Sequence, residues 1–173
     1  VIGESTLGNP ELAYVVGAVI PRGGTFVKRI GQDPVLVVSN IDVGSARRGR
    51  VRDIRTYTDY GYEKLVEKHG RQRGQVMLMD RLLRSVRAHG KIGIYGRNEF
   101  SHLLSLTDSL RKVGYRVIGE DDGSLMESLR ETKDRVEIKK IRNVGLRAAK
   151  VVESVLDMLR ECRISSGRLW WKK

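Results

Sequence analysis

One uninterrupted helical pattern near the C-terminus constrains the fold of this chain most. Asp134 and Glu137 form an Asp-x-x-Glu signal, in which the aspartate caps the Glu137 N–H and the glutamate reaches back. A helix from Asp134 to Cys162 would be about 43 Å long at 1.5 Å per residue, which exceeds the width of a small domain. It is therefore expected to project from its own domain and to bury its far end on a second protein surface. Its apolar residues recur with a period of 3.6, at Ile141, Val144, Ala148, Val151, Val155, Leu159 and Cys162.

The rest of the chain predicts an α/β domain with a mixed β-sheet flanked by helices. The turn cluster Gly31-Gln32-Asp33-Pro34 separates two strand-like runs and predicts an antiparallel hairpin. A third strand is expected at 51–57 and a helix at 74–89. Helices and strands then alternate, with Asn98 as the expected cap of a helix that ends at Gly114. Mixed strands followed by this alternation favour helices on both faces of the sheet.

Three segments together carry a further signal. The first is the hinge-like run at 130–142, where Arg-x-x-Lys, a helix cap and Glu-Ile are followed by Ile-Arg. The others are Asn9 to Gly17, with Pro10 and Tyr14, and a strand at 90–94 that introduces a helix and another strand. Together they resemble the N-terminal domain and hinge of the creatinase/prolidase/Xaa-Pro aminopeptidase family. That family usually has Ser-Pro after the lysine, where this chain has Asp134-Arg135 and so lacks the proline preferred in the first turn.

The resemblance implies a domain division and a function. Residues 1–132 would be the non-catalytic N-terminal domain, and 133–173 the hinge helix and the start of an absent catalytic domain. The parent protein would hydrolyse the bond before a proline in dipeptides or at peptide N-termini, using two Mn, Co or Zn ions held by the absent domain. The present domain would help to restrict substrate access and would take part in a homodimer. The expected hinge or interdomain residues are Arg130, Lys133, Asp134, Glu137 and Arg142, and no residue matches a catalytic or metal-binding position.

The charge of the chain supports an alternative, a stand-alone interaction module like the catalytically dead relatives of that family. The net charge is +12, of which +7 lies from residue 130 onward, so an acidic protein or a nucleic acid is a conceivable partner. However, aromatic residues are 6% of the chain and none interrupts the densest basic run, so a solvated helix end and edge strand is the favoured interpretation. The basic-patch candidates are Arg47, Arg48, Arg50 and Arg52.

Other patterns that suggest catalysis are favoured as structural. The segment from Gly3 to Gly8 departs by one residue from a nucleophile elbow and lacks the Gly-Lys-Ser/Thr of a phosphate loop. It is therefore predicted to be a strand-to-helix turn, with a helix starting at Asn9-Pro10. His69, His89 and His102 have no partner at metal-ligand spacing, and the first two are expected at helix ends. The chain alone is expected to be catalytically silent.

The C-terminal residues predict an interface. Trp170 and Trp171 follow a Ser-Ser-Gly break on a polar tail and are expected to be buried against missing or neighbouring protein. Cys162 lies on the helical stripe and is expected to be a small packing residue. A single cysteine fits a reducing compartment, so a cytoplasmic location is expected, and no run approaches the ~20 apolar residues of a membrane span.

Overall fold

The chain forms two compact units in the computed structural model, which describes residues 2–3, 5–120 and 124–171. Unit 1 is Val1–Glu127 and unit 2 is Ser128–Lys173. Unit 1 contains the β-sheet and the packed core. Unit 2 contains the long helix and a C-terminal hairpin.

Unit 1 is built on a four-stranded mixed sheet whose strands lie in the order β1-β2-β3-β4. The strands are β1 (Ile2–Gly3), β2 (Gly24–Val27), β3 (Val35–Val38) and β4 (Asp53–Thr56). β2 runs antiparallel to β1 and β3, so the predicted hairpin is confirmed, and β4 is parallel to β3. The third predicted strand is therefore present as β4, at one edge of this sheet.

A second pair of strands lies beside the first sheet. β5 (Lys91–Gly93) and β6 (Arg116–Ile118) are parallel, and Ile2 N of β1 donates to the carbonyl oxygen of Tyr95, just beyond β5, at 3.0 Å. This hydrogen bond makes β1 the link between the two sets of strands.

Helices cover β3 on both sides. The helices of unit 1 are α1 (Pro10–Val16), α2 (Val43–Ala46), α3 (Tyr62–His69), α4 (Arg71–Ser85) and α5 (Phe100–Val113), and α6 (Leu125–Glu131) crosses the unit boundary. Val35 and Val37 pack in one buried cluster with leucines of α4 and α5, and Leu36 and Val38 pack in another with α1. Because side chains alternate along a strand, both faces of β3 are apolar, and the predicted mixed sheet with flanking helices is confirmed.

Two helix starts differ from the prediction. α4 begins at Arg71 rather than Gly74, because Gly74 is a packing position inside the helix, where an added Cβ would lie 3.1 Å from the backbone nitrogen of Val66 in α3. The helix also ends at Ser85, before the predicted 89. Asn98 does not cap α5: the cap position is Glu99, and the buried Nδ2 of Asn98 has no hydrogen-bond partner among the described residues. The predicted glycine end at Gly114, with φ of 109°, is confirmed.

Asn9 fixes the start of α1. Its side-chain oxygen accepts from Leu12 N at 3.0 Å, and Pro10 occupies the first turn, as predicted. Its Nδ2 donates to the carbonyl oxygen of Ile2 at 3.0 Å, so one buried side chain joins α1 to β1. The segment before it is a strand-to-helix turn, of which Glu4 lies outside the described residues.

Unit 2 contains the end of α6, the helix α7 (Arg135–Arg160) and a hairpin of β7 (Arg163–Ser165) and β8 (Arg168–Trp170). α7 has 26 residues and ends two residues before the predicted Cys162, whose Sγ donates to the Met158 carbonyl oxygen at 3.3 Å. The prediction of a polar tail is wrong for Trp170, because Ser166 and Gly167 both adopt positive φ and turn the chain into the hairpin. No described helix has both the length and the apolar content to cross a membrane.

Candidate functional site

Four of the five predicted hinge residues take part in hydrogen bonds in the connection between α6 and α7. Lys133 Nζ donates to the carbonyl oxygens of Arg130 at 2.7 Å and Glu131 at 2.8 Å, which satisfies the end of α6. Asp134 Oδ1 accepts from Glu137 N at 2.8 Å, while Glu137 Oε2 accepts from Asp134 N at 2.9 Å. Both halves of the capping box are therefore present, and the first turn of α7 is satisfied by local hydrogen bonds.

Replacing Asp134 with alanine is expected to destabilise α7 by about 1 kcal/mol, because the Glu137 N–H loses its acceptor. The measurement is helix content by circular dichroism against temperature. Glu153→Ala, an exposed change in the middle of the same helix, is the matched control and should have little effect. Equal losses in the two variants would contradict a capping role.

One side of α7 is apolar and open. We define the α7 apolar face as Ile141, Val144, Ala148, Val151, Val152, Val155 and Leu159, which fall within about 100° of arc at 100° per residue. No residue of α7 is buried, and the large members of this face are between 43% and 66% exposed. The opposite side carries polar residues such as Lys139, Lys150 and Asp157. Arg142, the remaining hinge candidate, is exposed on this helix.

The two tryptophans lie at the other end of unit 2. Trp170 is the last residue of β8 and pairs with Arg163, Trp171 follows it, and each is 59% exposed. Ile164 and Leu169, which pair across the hairpin, are also exposed. A two-stranded hairpin with exposed apolar side chains is marginally stable by itself. Unit 2 therefore presents two apolar surfaces that a folded protein would ordinarily cover.

The basic-patch candidates lie around the edge of the sheet in unit 1. Arg47 and Arg48 are exposed in the turn after α2, and Arg52 is exposed just before β4. Arg50 is engaged separately: its guanidinium lies 5.7 Å from the ring centre of Tyr14, and its backbone nitrogen donates to the Val16 carbonyl. All four arginines are exposed to solvent.

We expect no binding of a mixed-sequence DNA duplex at about 150 mM salt, because the phosphate contacts of three exposed arginines, Arg47, Arg48 and Arg52, are too few to hold a duplex at that salt concentration. Fluorescence anisotropy of a labelled duplex across a salt series measures this. Arg47→Gln/Arg48→Gln is the comparison variant and should leave the titration unchanged. Saturable binding at that salt concentration, lost in the double variant, would instead favour the nucleic-acid interpretation.

The three histidines lie on different parts of unit 1. His69 ends α3, His102 lies on α5, and His89 Nδ1 is 2.9 Å from the carbonyl oxygen of Arg87. No group of three or more histidine, cysteine, aspartate or glutamate residues capable of holding a metal occurs in the described ranges 2–3, 5–120 and 124–171. These residues do not fit a dinuclear metal centre.

The sequence patterns missed a cavity in unit 1. It has a volume of about 520 Å³ and lies on the β5–β6 pair, and it is lined by Lys91, Gly93, Ile94, Tyr95, Ile118, Gly119, Glu120 and Ser124. Tyr95 Oη donates to Glu120 Oε1 at 2.6 Å, and Glu120 Oε2 accepts from Leu125 N at 2.9 Å. Burial first, and then the bond to Glu120, raises the pKa of Tyr95 to about 12. β5 and β6 each contain a single polar residue, Lys91 and Arg116, so no local pattern in the sequence indicates the cavity.

Comparison with known proteins shows the fold. No family model matches the chain, and no curated protein matches it. Among solved structures, the chain is similar to the prolidase from Pyrococcus horikoshii OT3, with a TM-score of 0.56 and 16% sequence identity. The similarity covers 94% of this chain and 38% of the prolidase chain, so this chain spans well under half of that protein. The chain therefore shares the α/β fold of part of a prolidase, as the sequence resemblance implied.

Proposed function

We propose that this chain is the N-terminal accessory domain, with its hinge helix, of a proline-specific metallopeptidase. The observation that carries the proposal is the structural similarity to the Pyrococcus horikoshii prolidase over 94% of the chain. The hinge and N-terminal segments of the sequence support the same family independently of that comparison.

The surfaces of unit 2 support an accessory role. A capping box lies at the start of α7, and the α7 apolar face is exposed along the helix. In the proposed protein this face and the tryptophans of the hairpin pack against the catalytic domain. Burying a Val or Leu side chain contributes about 1.5–3 kcal/mol, so a face with six large apolar residues could hold two domains together.

The proposal places the chemistry outside the described residues. Two divalent metal ions, Mn, Co or Zn, would supply an activated water in the catalytic domain, and the side chains described here would not bind them. The contribution of this chain would be to restrict access to that site and to take part in a homodimer. The substrates would be dipeptides with a C-terminal proline, or longer peptides with proline as their second residue.

The experiment compares this chain with the native gene product purified from its cells. Hydrolysis of Ala-Pro and of Ala-Pro-Ala is measured as the release of alanine. The measurement is made after removal of metals and again after addition of Mn²⁺, Co²⁺ or Zn²⁺. The proposal predicts metal-dependent release by the native protein and none by the 173-residue chain. Release by the chain alone would assign the chemistry to this domain, and no release by the native protein with any metal would contradict the peptidase proposal.

A further inference from the structure

The side of α7 opposite its apolar face is charged, and its charges are separated by sign along the helix. Its N-terminal part carries four cations, Arg135, Lys139, Arg142 and Lys150. Its C-terminal part carries three anions, Glu153, Asp157 and the C-cap residue Glu161. All seven side chains are exposed and lie within about 100° of arc at 100° per residue, an arc that does not overlap the α7 apolar face. We call these seven residues the α7 charged side.

This separation of charge is unfavourable for the helix by itself. Residues four apart are neighbours on a helix, where like charges destabilise it and opposite charges stabilise it. The like-charged neighbours are Arg135 with Lys139, Glu153 with Asp157, and Asp157 with Glu161. The ion pair of Asp157 with Arg160, at 2.8 Å, offsets this only in part, because both side chains are exposed and such pairs are weak. A complementary surface outside the helix would offset the rest.

The α7 charged side is complementary to itself when a second copy is turned end for end. Arg135 and Glu161 each lie thirteen residues from position 148. Lys139 and Asp157 each lie nine residues from it. Two antiparallel helices that meet at position 148 therefore place each of these cations opposite an anion of the other copy. An acidic protein or a nucleic acid would match the cations but would be repelled by the three anions, so a second copy fits the whole side better.

The middle of this side fits the same arrangement. Arg142 and Glu153 lie six and five residues from position 148, so they also face each other across the two copies. Leu146 and Lys150 each lie two residues from that position, and Leu146 is 59% exposed on the same arc as the charges. The aliphatic stem of Lys150 would therefore cover Leu146 of the other copy.

We propose that two copies of this chain associate through their α7 charged sides, in antiparallel orientation and with a two-fold axis at position 148. Three opposite-charge pairs, each formed twice by symmetry, set the orientation and the register. A contact along one helix of 26 residues, about 39 Å long, is at the small end of specific interfaces, so the dimer is weak. The α7 apolar face stays free for another domain, and the inference does not rest on the peptidase proposal.

Sedimentation velocity of the 173-residue chain, over a concentration series to about 1 mM, tests the proposal at two salt concentrations. The Debye length is about 10 Å at 0.1 M salt and about 3 Å at 1 M. The lower salt concentration therefore screens the overall repulsion between two chains of net charge +12 but preserves the contact pairs. We expect a dimer at about 0.1 M salt whose dissociation constant rises at least tenfold at about 1 M. The absence of a dimer at the lower salt concentration would overturn the proposal.

The apolar face of the same helix provides one control. Val151→Ser/Val155→Ser changes the α7 apolar face and should leave the dissociation constant unchanged. Association through that face would instead be lost in this variant and would not weaken with salt, because hydrophobic contacts are not screened. Either result would overturn the proposal.

Reversal of charge tests the register. Lys139→Glu/Arg142→Glu and Glu153→Lys/Asp157→Lys should each weaken self-association at least tenfold, because each places like charges opposite each other. An equimolar mixture of the two variants should restore the dimer, because every reversed residue then faces an opposite charge. Circular dichroism establishes that α7 stays helical in both variants. A mixture that associates no better than either variant alone would overturn the proposal.

A change of net charge elsewhere is the matched control for the reversal. Lys64→Glu/Lys68→Glu makes the same change in net charge as Lys139→Glu/Arg142→Glu, at exposed positions of α3. It should leave the dissociation constant unchanged. An equal loss in the two variants would show that net charge, and not the α7 charged side, controls association, and would overturn the proposal.

Discussion

Replacing Gly96 with alanine is expected to destabilise unit 1 by about 3–5 kcal/mol, a large part of the stability of a typical domain. Gly96 has a φ of 110°, which an L-residue with a Cβ adopts only at a cost of about 1–3 kcal/mol. The added Cβ would also fall on the carbonyl oxygen of Ile2 and 3.0 Å from Asn9 Nδ2. It would therefore disturb the bond by which Asn9 joins α1 to β1.

Gly114→Ala is the matched control for this change. Gly114 has nearly the same φ, 109°, but an added Cβ there has no neighbour within 4 Å among the described residues. It should cost only about 1–2 kcal/mol, the backbone strain alone. Hydrogen exchange of the β3 amides measures the free energy of unfolding of unit 1 for both variants. Equal losses would show that the contact with Ile2 contributes nothing.

Charged residues on the α7 apolar face are expected to leave the stability of this chain almost unchanged but to destabilise the longer protein that we propose. Val151→Lys/Val155→Lys should change the stability of α7 in the 173-residue chain by no more than about 0.5 kcal/mol, because both valines are exposed and lysine is the better helix former. In the longer protein the same pair should cost more than about 3 kcal/mol, because two charges would be buried at the domain contact.

Asn143→Lys is the control for the α7 experiment, since Asn143 is exposed on the polar side of the helix. It should leave the stability of both proteins unchanged. Thermal unfolding followed by circular dichroism gives the comparison. If Val151→Lys/Val155→Lys destabilises the longer protein no more than Asn143→Lys does, the proposal that another domain covers this face is contradicted.

Local sequence signals predicted much of the fold. The cap pairs at Asn9-Pro10 and at Asp134 with Glu137, and the turn glycine at Gly114, each act within a few residues, so their structural effect can be read directly from the sequence. The error at Asn98 arose because several polar residues precede α5 and only tertiary packing decides which of them occupies the cap position.

The candidate sites depended on contacts between residues distant in sequence. Nothing in the local pattern places Tyr95 beside Glu120 or Lys91 opposite Arg116, because the parallel register of β5 and β6 is set across a helix. The Ser165-Ser166-Gly167 run predicts a break in the chain, but it does not show that the residues on its two sides pair as a hairpin that includes Trp170. The apolar face of α7, in contrast, follows directly from its 3.6-residue period.

The intact mass of the native gene product in an extract of its own cells tests the central proposal most directly. The proposal predicts a mass that exceeds the 19.6 kDa of this chain by roughly 20–30 kDa, the size of one further domain. A native product of 19.6 kDa would contradict it, because the cell would then use this domain without a catalytic partner in the same chain. The stand-alone interaction module would in that case be the better account.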